Sequence, residues 1–448
     1  LDEKTACSRL PVIRHPNPDL IFAILSIPLF YFLFKKYFDG RLALSLTALY
    51  AVSFYAIKYA RFAWNPNSTP FWTMFFLLAL LQIAEHQGKK KILWSIVAGV
   101  AVGVGVQLHT FLLVVMPLLV IGYFVYLGLK EKKWLWKNFI FIVLVSLAIN
   151  IPQLYNETQT GGENIKALFE SAEAEKDGKN IFLKIGRVGE CFMTAGTFTI
   201  SSFGESDECK ILPLKSASNW MDLVVGGLLF FGGLGFAIWR MAKETFVEKK
   251  RFLGLILAYT GLVALFLAPV AFELSLRYFL IIAFLPFVFM GLWLEFLTRK
   301  FGKNGFVISL VIIIVLAGLN LWTTTSFFRA VDSYTKKASM KGFDNVYLGE
   351  LEMMADYIVS ESNPDSKVFL DGNSQYMFKA SKGLIYLTEK EGVDLQVLNK
   401  KKEMSGSIVF NLISTESKDR KMQSLEENFE ILDFQSFGRF GIIKTRLE

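Results

Sequence analysis

The apolar residues of this chain fall in runs of about twenty that do not alternate with polar ones, and no other feature constrains its fold as tightly. A bilayer core supplies no water to backbone amides, so such runs cross it only as helices or as strands of a closed barrel. Barrel strands alternate polar with apolar residues. These runs do not, so the spans are helical. They are expected near 19–34, 42–60, 69–85, 92–108, 110–129, 136–154, 220–240, 252–270, 277–297 and 305–323, about ten in all. The turn between 92–108 and 110–129 is almost absent, which leaves a single bent helix pair open there.

Lys and Arg decide the expected orientation. KKYFDGR (35–41), HQGKKK (86–91), KEKKWLWK (130–137), KETFVEKKR (243–251) and RKFGK (299–303) are basic, and they alternate with poorer loops at 61–68, 109, 155–219 and 271–276. Basic loops stay in the cytoplasm, which puts RFAWNPNST, the 155–219 segment and everything after about 324 on the opposite side. The expected location is therefore the cytoplasmic (plasma) membrane, crossed many times, with an extracytoplasmic C-terminal domain. The formal net charge is +8, yet residues 330–448 carry 16 Lys and Arg against 19 Asp and Glu, or −3, leaving +11 on the membrane part. The basic excess is topological, and no nucleic-acid partner is expected.

The expected fold class is an all-α polytopic membrane protein with a small soluble α/β C-terminal domain. Its parts are an extracytoplasmic stub at 1–18, a transmembrane domain at 19–325 with an external loop at 155–219, and the α/β domain at 330–448. Leu1 is not an initiator methionine and no signal segment follows it, so a polar stub starting outside implies one or more upstream helices. The long loop is expected to hold a short surface helix near 164–176 and then irregular structure. Cys191 and Cys209 either pair across it in an oxidising compartment or remain thiols; with Cys7 they offer no metal spacing. In the C-terminal part, YLGELEMMADYIVSES reads as an amphipathic helix, and KVFLDGN, LIYL, SIVFNLI, FEILDFQSF and GRFGIIKTR read as strands. Asp371-Gly372-Asn373, following a strand, reads either as a ligand-binding turn or, more simply, as a plain turn.

The stretch YARFAWNPNSTPF, from Tyr59 to Phe71, breaks two apolar runs with an arginine, a tryptophan, two asparagines and two prolines. Thr69-Pro70 suits a helix start, with Thr as N-cap and Pro at the first position, and Asn65-Pro66 suits a turn. Neither requirement explains Arg61 or Trp64. Arg binds phosphate bidentately, and an interfacial Trp packs against acyl chains, prenyl chains or sugar rings. Snorkelling and aromatic anchoring are the structural alternatives. More polar groups gather on the same side: Gln107 and His109 in GVQLHTF, and Arg277-Tyr278 in FELSLRYFL with Glu273 one turn away. His109 reads either as a packed, capping histidine or as part of a site, and several such groups at one face favour a site. Gly99, Gly103 and Gly105 give a small-residue face for close helix approach beneath it.

In this order, the basic KKYF turn, YARFAWNPNSTPF, the GVGVQLHTFLLVVMPLL pair, the long loop, LRYFLIIAFLPFVF and a soluble C-terminal domain resemble the polytopic C-superfamily glycosyltransferases. The closest group is the protein-mannosyltransferase-like family, which includes the aminoarabinose transferases of lipid A. The resemblance covers roughly residues 20–325. It implies a membrane glycosyltransferase that takes a sugar from a polyprenyl-phosphate donor to a lipid, glycan or protein acceptor outside. It also implies an acidic catalytic residue on the first external loop, acting as base or helping to hold a divalent metal (Mg or Mn type) near the phosphate. Asp2 and Glu3 match those residue types, but SRLP follows them without the apolar span the family carries between, so a chain lacking its N-terminal part is expected to be inactive. Arg61 and Arg277 are the expected phosphate contacts, with Trp64, Asn65, Asn67, Gln107, His109, Glu273 and Tyr278 around the donor and sugar. A flippase would line a path with charges at mid-span, where this chain has almost none. A lipid-linked glycan polymerase or ligase shares the same donor, and a non-catalytic envelope assembly protein would tolerate loss of Arg61 or Arg277.

Overall fold

The long apolar runs become helices, as their composition requires, in a computed structural model that describes residues 18–61, 64–163, 166, 180–203, 209, 211, 214, 217–336, 346–362, 368–398, 406–426 and 429–447. The chain divides into two compact units, residues 14–324 and residues 325–448 with the first thirteen. The expected stub, with Asp2, Glu3 and Cys7, lies outside the described residues, as does most of the expected helix at 164–176.

In the larger unit the chain runs through α1 (Pro18–Phe34), α2 (Gly40–Ala51), α3 (Phe54–Ala60), α4 (Thr69–Glu85), α5 (Gly88–Leu108), α6 (Thr110–Glu131) and α7 (Trp136–Gln159). Then come α8 (Ile181–Ser201), α9 (Asn219–Lys243), α10 (Val247–Leu267) and α11 (Leu285–Lys336). Against the ten or so spans expected, seven helices among the described residues are long and apolar enough to cross a membrane, or eight if the bent pair α2–α3 is one span. Three places account for the difference. α1 has only 17 residues, and α2 and α3 meet at 51°. The third is α11, which folds back on itself at Gly302, whose φ of 57° is left-handed. Beyond that break, Ser309 donates to Leu294 O at 3.4 Å, and a Cβ on Gly305 would lie 2.1 Å from Leu297 O, so the two arms lie against each other.

The α2–α3 break frees backbone groups that a buried membrane protein must satisfy internally. Fully buried Asn320 does this. Its Oδ1 accepts from Phe54 N at 2.8 Å while its Nδ2 donates to Ile200 O at 2.6 Å, and Ser53 Oγ donates to Thr199 O at 2.7 Å. One asparagine on α11 thus ties the bend to the end of α8. α8 itself corrects the expected irregular structure after 176. Cys191 and Cys209 are buried free thiols, hydrogen-bonded to each other. Gly99 and Gly103 face α7 closely: added Cβ atoms would lie 2.8 Å from Val145 and 3.0 Å from Ile149. The small-residue face therefore works as expected for close packing.

The C-terminal unit is α/β. Helices α12 (Leu348–Ser360), α13 (Ser374–Lys390) and α14 (Lys418–Leu425) accompany β1 (Val368–Gly372), β2 (Leu395–Val397), β3 (Ile408–Ser414), β4 (Phe429–Phe437) and β5 (Phe440–Leu447). The sheet order is β2-β1-β3-β5-β4, with β2-β1-β3 parallel and β3-β5-β4 antiparallel. Met354 and Ile358 from α12 and Ala380 and Leu384 from α13 join Val368, Leu370, Phe410, Leu412 and Ile442 in one core. LIYL, expected as a strand, lies inside α13. Asp371-Gly372 ends β1, and Asn373 caps α13 by accepting from Gln375 N at 2.9 Å, which makes this a structural turn.

Candidate functional site at one end of the helices

Arg277 and Tyr278 sit on a short helix rather than on a span. Leu276–Ile282 is a 3-10 helix, where the sequence had suggested the start of a transmembrane helix. Two buried tyrosines hold it: Tyr55 Oη donates to Leu276 O and Tyr259 Oη donates to Ile281 O, each at 2.7 Å. Burying each hydroxyl in a membrane domain requires such a partner, so both ends of the short helix are pinned.

Opposite it, Asn65–Ser68 forms a second 3-10 turn, with Pro66 near its start. Thr69 does not cap α4 as expected: its hydroxyl donates back to Pro66 O at 2.6 Å, so α4 continues directly from the turn. Trp64 precedes the turn in extended backbone, and its amide donates to Asp19 Oδ2 at 3.2 Å. Asp19 is buried at the first turn of α1. Sequence reasoning passed over it because an acid at a helix start already has a reason to be there, opposite the positive end of the helix dipole.

These supports bring together residues more than two hundred positions apart. The Arg277 guanidinium lies 5.6 Å from the Trp64 ring centroid and 5.6 Å from that of Tyr278. Tyr278 in turn lies 6.0 Å from His109 and 6.2 Å from Phe111, both edge-on. Among the described residues no carboxylate lies within ion-pairing distance of Arg277. A guanidinium held by two aromatic rings is oriented without losing its N–H edge, which remains directed at whatever anion arrives.

His109 stands between α5 and α6, and its Nδ1 accepts from Phe111 N at 3.4 Å, capping α6. Burial pulls its pKa down to about 4, so the ring is neutral at physiological pH and able to accept that bond. The other expected residues divide. Asn67 is buried in the 3-10 turn, Asn65 is exposed at its start, and Arg61 is exposed at the end of α3. Glu273 is exposed on the loop before Leu276, and among the described residues no ion pair joins it to Arg277. Gln107 turns toward α7, donating to Asn150 Oδ1 at 3.1 Å and Ile149 O at 3.3 Å, so it clamps two helices. Phe111 is the addition that sequence reasoning missed. Among the described residues no three His, Cys, Asp or Glu side chains converge, and the nearest buried acid, Asp19, accepts from the Trp64 amide.

A multi-helix membrane unit followed by a small α/β domain is a fold that this chain has in common with solved proteins. The structure of ArnT from Cupriavidus metallidurans bound to undecaprenyl phosphate shares it, with a TM-score of 0.57 at 13% identity over 96% of this chain and 83% of that one. The apo state of ArnT aligns at TM-score 0.49 and 12% identity, covering 95% and 82%. The archaeal oligosaccharyltransferase AglB from Archaeoglobus fulgidus, in complex with an inhibitory peptide and a dolichol-phosphate, aligns at 0.48 and 14%, covering 94% and 62%. Residues 14–155, less than half of the chain, match the dolichyl-phosphate-mannose-protein mannosyltransferase family. No curated protein matches by sequence.

Proposed function

We propose that this protein is a membrane glycosyltransferase that moves a sugar from a polyprenyl-phosphate donor to a lipid, glycan or protein acceptor on the extracytoplasmic side. The observation that carries this reading is Arg277, whose guanidinium lies 5.6 Å from each of the Trp64 and Tyr278 rings with no carboxylate partner among the described residues. The chain also shares its fold with a protein whose structure holds undecaprenyl phosphate.

Each residue then has a distinct task. Arg277 offers two parallel N–H bonds to the donor phosphate and neutralises charge on it as the sugar departs. Arg61, at the end of α3, adds a second cation to the same phosphate. Trp64 and Tyr278 keep the Arg277 fork oriented and give the first prenyl units or the sugar an aromatic wall. Neutral His109 adds no charge and sets the position of Tyr278. The base that accepts the acceptor's hydroxyl proton is an acid of the first external loop, a role for which Asp2 and Glu3 have the right chemistry.

The test is binding of undecaprenyl phosphate to the purified protein. Arg277→Lys keeps the charge but loses the fork and the stacking, and should weaken binding about tenfold, with Arg277→Ala weaker still. Unchanged affinity in Arg277→Ala, with an unchanged melting temperature, would remove the donor-phosphate role and leave an assembly protein as the better reading.

A further inference from the structure

The opposite end of the helices has its own cavity. α1 carries Asp19 at the Trp64 end and runs into Lys35 at the other, about 25 Å away at the rise of an α-helix. There Lys35, Lys36, Tyr37, Asp39, Lys249, Glu295 and Arg299 line a space of about 260 Å³ between the ends of α1, α10 and the first arm of α11.

The acids around this cavity are already committed. Glu85 pairs with Lys36. Glu295 is shared by Arg299 at 2.7 Å and Arg240 at 3.7 Å. Asp39 caps α2, accepting from Arg41 N at 2.8 Å and Leu42 N at 3.1 Å. Two ammonium groups have no carboxylate partner among the described residues. Lys35 lies 5.6 Å from the Tyr31 ring and Lys249 lies 5.4 Å from the Tyr37 ring, so both have aromatic faces instead. Tyr37 is buried beneath the cavity and fixed by Arg240, which donates to its hydroxyl at 3.3 Å. A rigid floor with two unpaired ammonium groups above it suits a compact anion.

We infer that this cavity binds the phosphate group of an anionic phospholipid headgroup. A phosphate satisfies both lysines with charge-assisted hydrogen bonds, and basic pockets between membrane helices select such headgroups. A free phosphate has the same charge chemistry, but the flanks favour a lipid. Phe32, three residues before Lys35 on α1, and Leu44, two residues after the lining residue Leu42 on α2, are 59% and 62% exposed, and they offer apolar surface on the helices that end at the cavity, on which acyl chains can lie. The site is independent of the proposed donor site, since it sits at the other end of the same helices and shares no residue with it.

Native mass spectrometry of the full chain, titrated with phosphatidylglycerol against phosphatidylcholine, tests this. The unmodified protein should retain one phosphatidylglycerol preferentially, and Lys35→Gln with Lys249→Gln should weaken that retention about thirtyfold. Lys35→Arg with Lys249→Arg should keep it, and so should Lys90→Gln, which removes an exposed charge outside the cavity. Inorganic phosphate at millimolar concentration should not displace the lipid. Displacement by phosphate alone would overturn the lipid assignment in favour of a free anion. Equal retention by the double Gln variant, or no preference for phosphatidylglycerol over phosphatidylcholine in the unmodified chain, would overturn the site altogether, and the second result needs no variant to fold.

Discussion

His109 couples the stability of the membrane unit to pH in a direction that its surroundings define. Its ring is buried and neutral, with a pKa near 4, whereas an unfolded histidine titrates near 6.5. Between those values the unfolded chain binds a proton that the folded chain refuses, so stability rises with pH across the window and is lost as pH falls through it. Each pH unit inside the window is worth up to about 1.4 kcal/mol. Over the whole interval the loss is about 3 kcal/mol. Protonation also removes the lone pair that accepts from Phe111 N, so the cap of α6 opens with the same event. His109→Asn isolates the effect, because an Asn Oδ1 near the position of Nδ1 keeps an acceptor for the amide and cannot titrate. Reversible unfolding of the purified chain in mixed micelles, from pH 4 to 8, gives two curves whose difference removes every group common to both. That difference should be flat above pH 7 and shift by about 3 kcal/mol in favour of the variant as pH falls from 6.5 to 4. Parallel curves through that interval would mean that the imidazole titrates alike in both states, and the account of His109 as a buried neutral cap would be wrong.

Two further outcomes concern packing. Gly226→Ala puts a Cβ 2.5 Å from Met193 O and 2.8 Å from Thr197 Oγ1, and because the nearest atom is backbone the helices α8 and α9 must part; stability should fall by about 1–3 kcal/mol. Gly235→Ala, which meets nothing within 4 Å, should be neutral or slightly stabilising, and equal melting temperatures for the two variants would refute the close crossing. In the C-terminal unit Arg439 and Glu350 form a bidentate pair at 2.8 and 2.9 Å, both side chains almost fully buried. Arg439→Ala should cost about 3–5 kcal/mol by leaving the Glu350 charge buried without a cation, while Arg439→Met with Glu350→Leu should recover part of it, less the helix-capping bond from Tyr347 N that Glu350 also accepts. Limited proteolysis of the full chain reads both, and a double variant as labile as the single one would sink the argument.

The membrane helices were legible because apolar run length is a direct consequence of bilayer thickness. α8 was not. Its buried half carries Thr194, Thr197, Thr199 and Ser201, and a hydroxyl-rich segment after a polar loop looks like more loop. In the fold those hydroxyls are absorbed by the helix itself: Thr197 donates to Met193 O at 3.1 Å and Ser201 to Thr197 O at 2.7 Å. LIYL failed for a different reason, since four apolar residues fit strand and helix alike, and only the burial of Ala380, Leu384 and Thr388 at four-residue spacing reveals α13. At the candidate site, residue types at one end of the helices could be grouped from the sequence. Which of them touch depended on two 3-10 turns and on Asp19, whose roles are set by tertiary hydrogen bonds.

The two ends of the helices treat arginine in opposite ways. At the basic end Arg251 is taken up by Glu131 in a bidentate pair, Arg299 by Glu295, and Arg240 lies between Glu295 and Glu244. Arg251 fastens α10 to α6 and Arg240 fastens α9 to α11, and the charge of these arginines is spent inside the protein. Arg277 has rings in place of carboxylates. A buried or half-buried carboxylate beside it would have bound its fork permanently, and an incoming phosphate would then have to break an existing ion pair before forming its own. Aromatic faces hold the guanidinium in place through a weaker, non-exhausting contact, so its hydrogen-bond donors remain available. Introducing a carboxylate against Arg277, for example Tyr278→Glu, should therefore abolish undecaprenyl-phosphate binding more completely than Tyr278→Phe, which preserves the ring. Equal loss in the two variants would show that the phenol hydroxyl, and not the open guanidinium, is what the ligand meets.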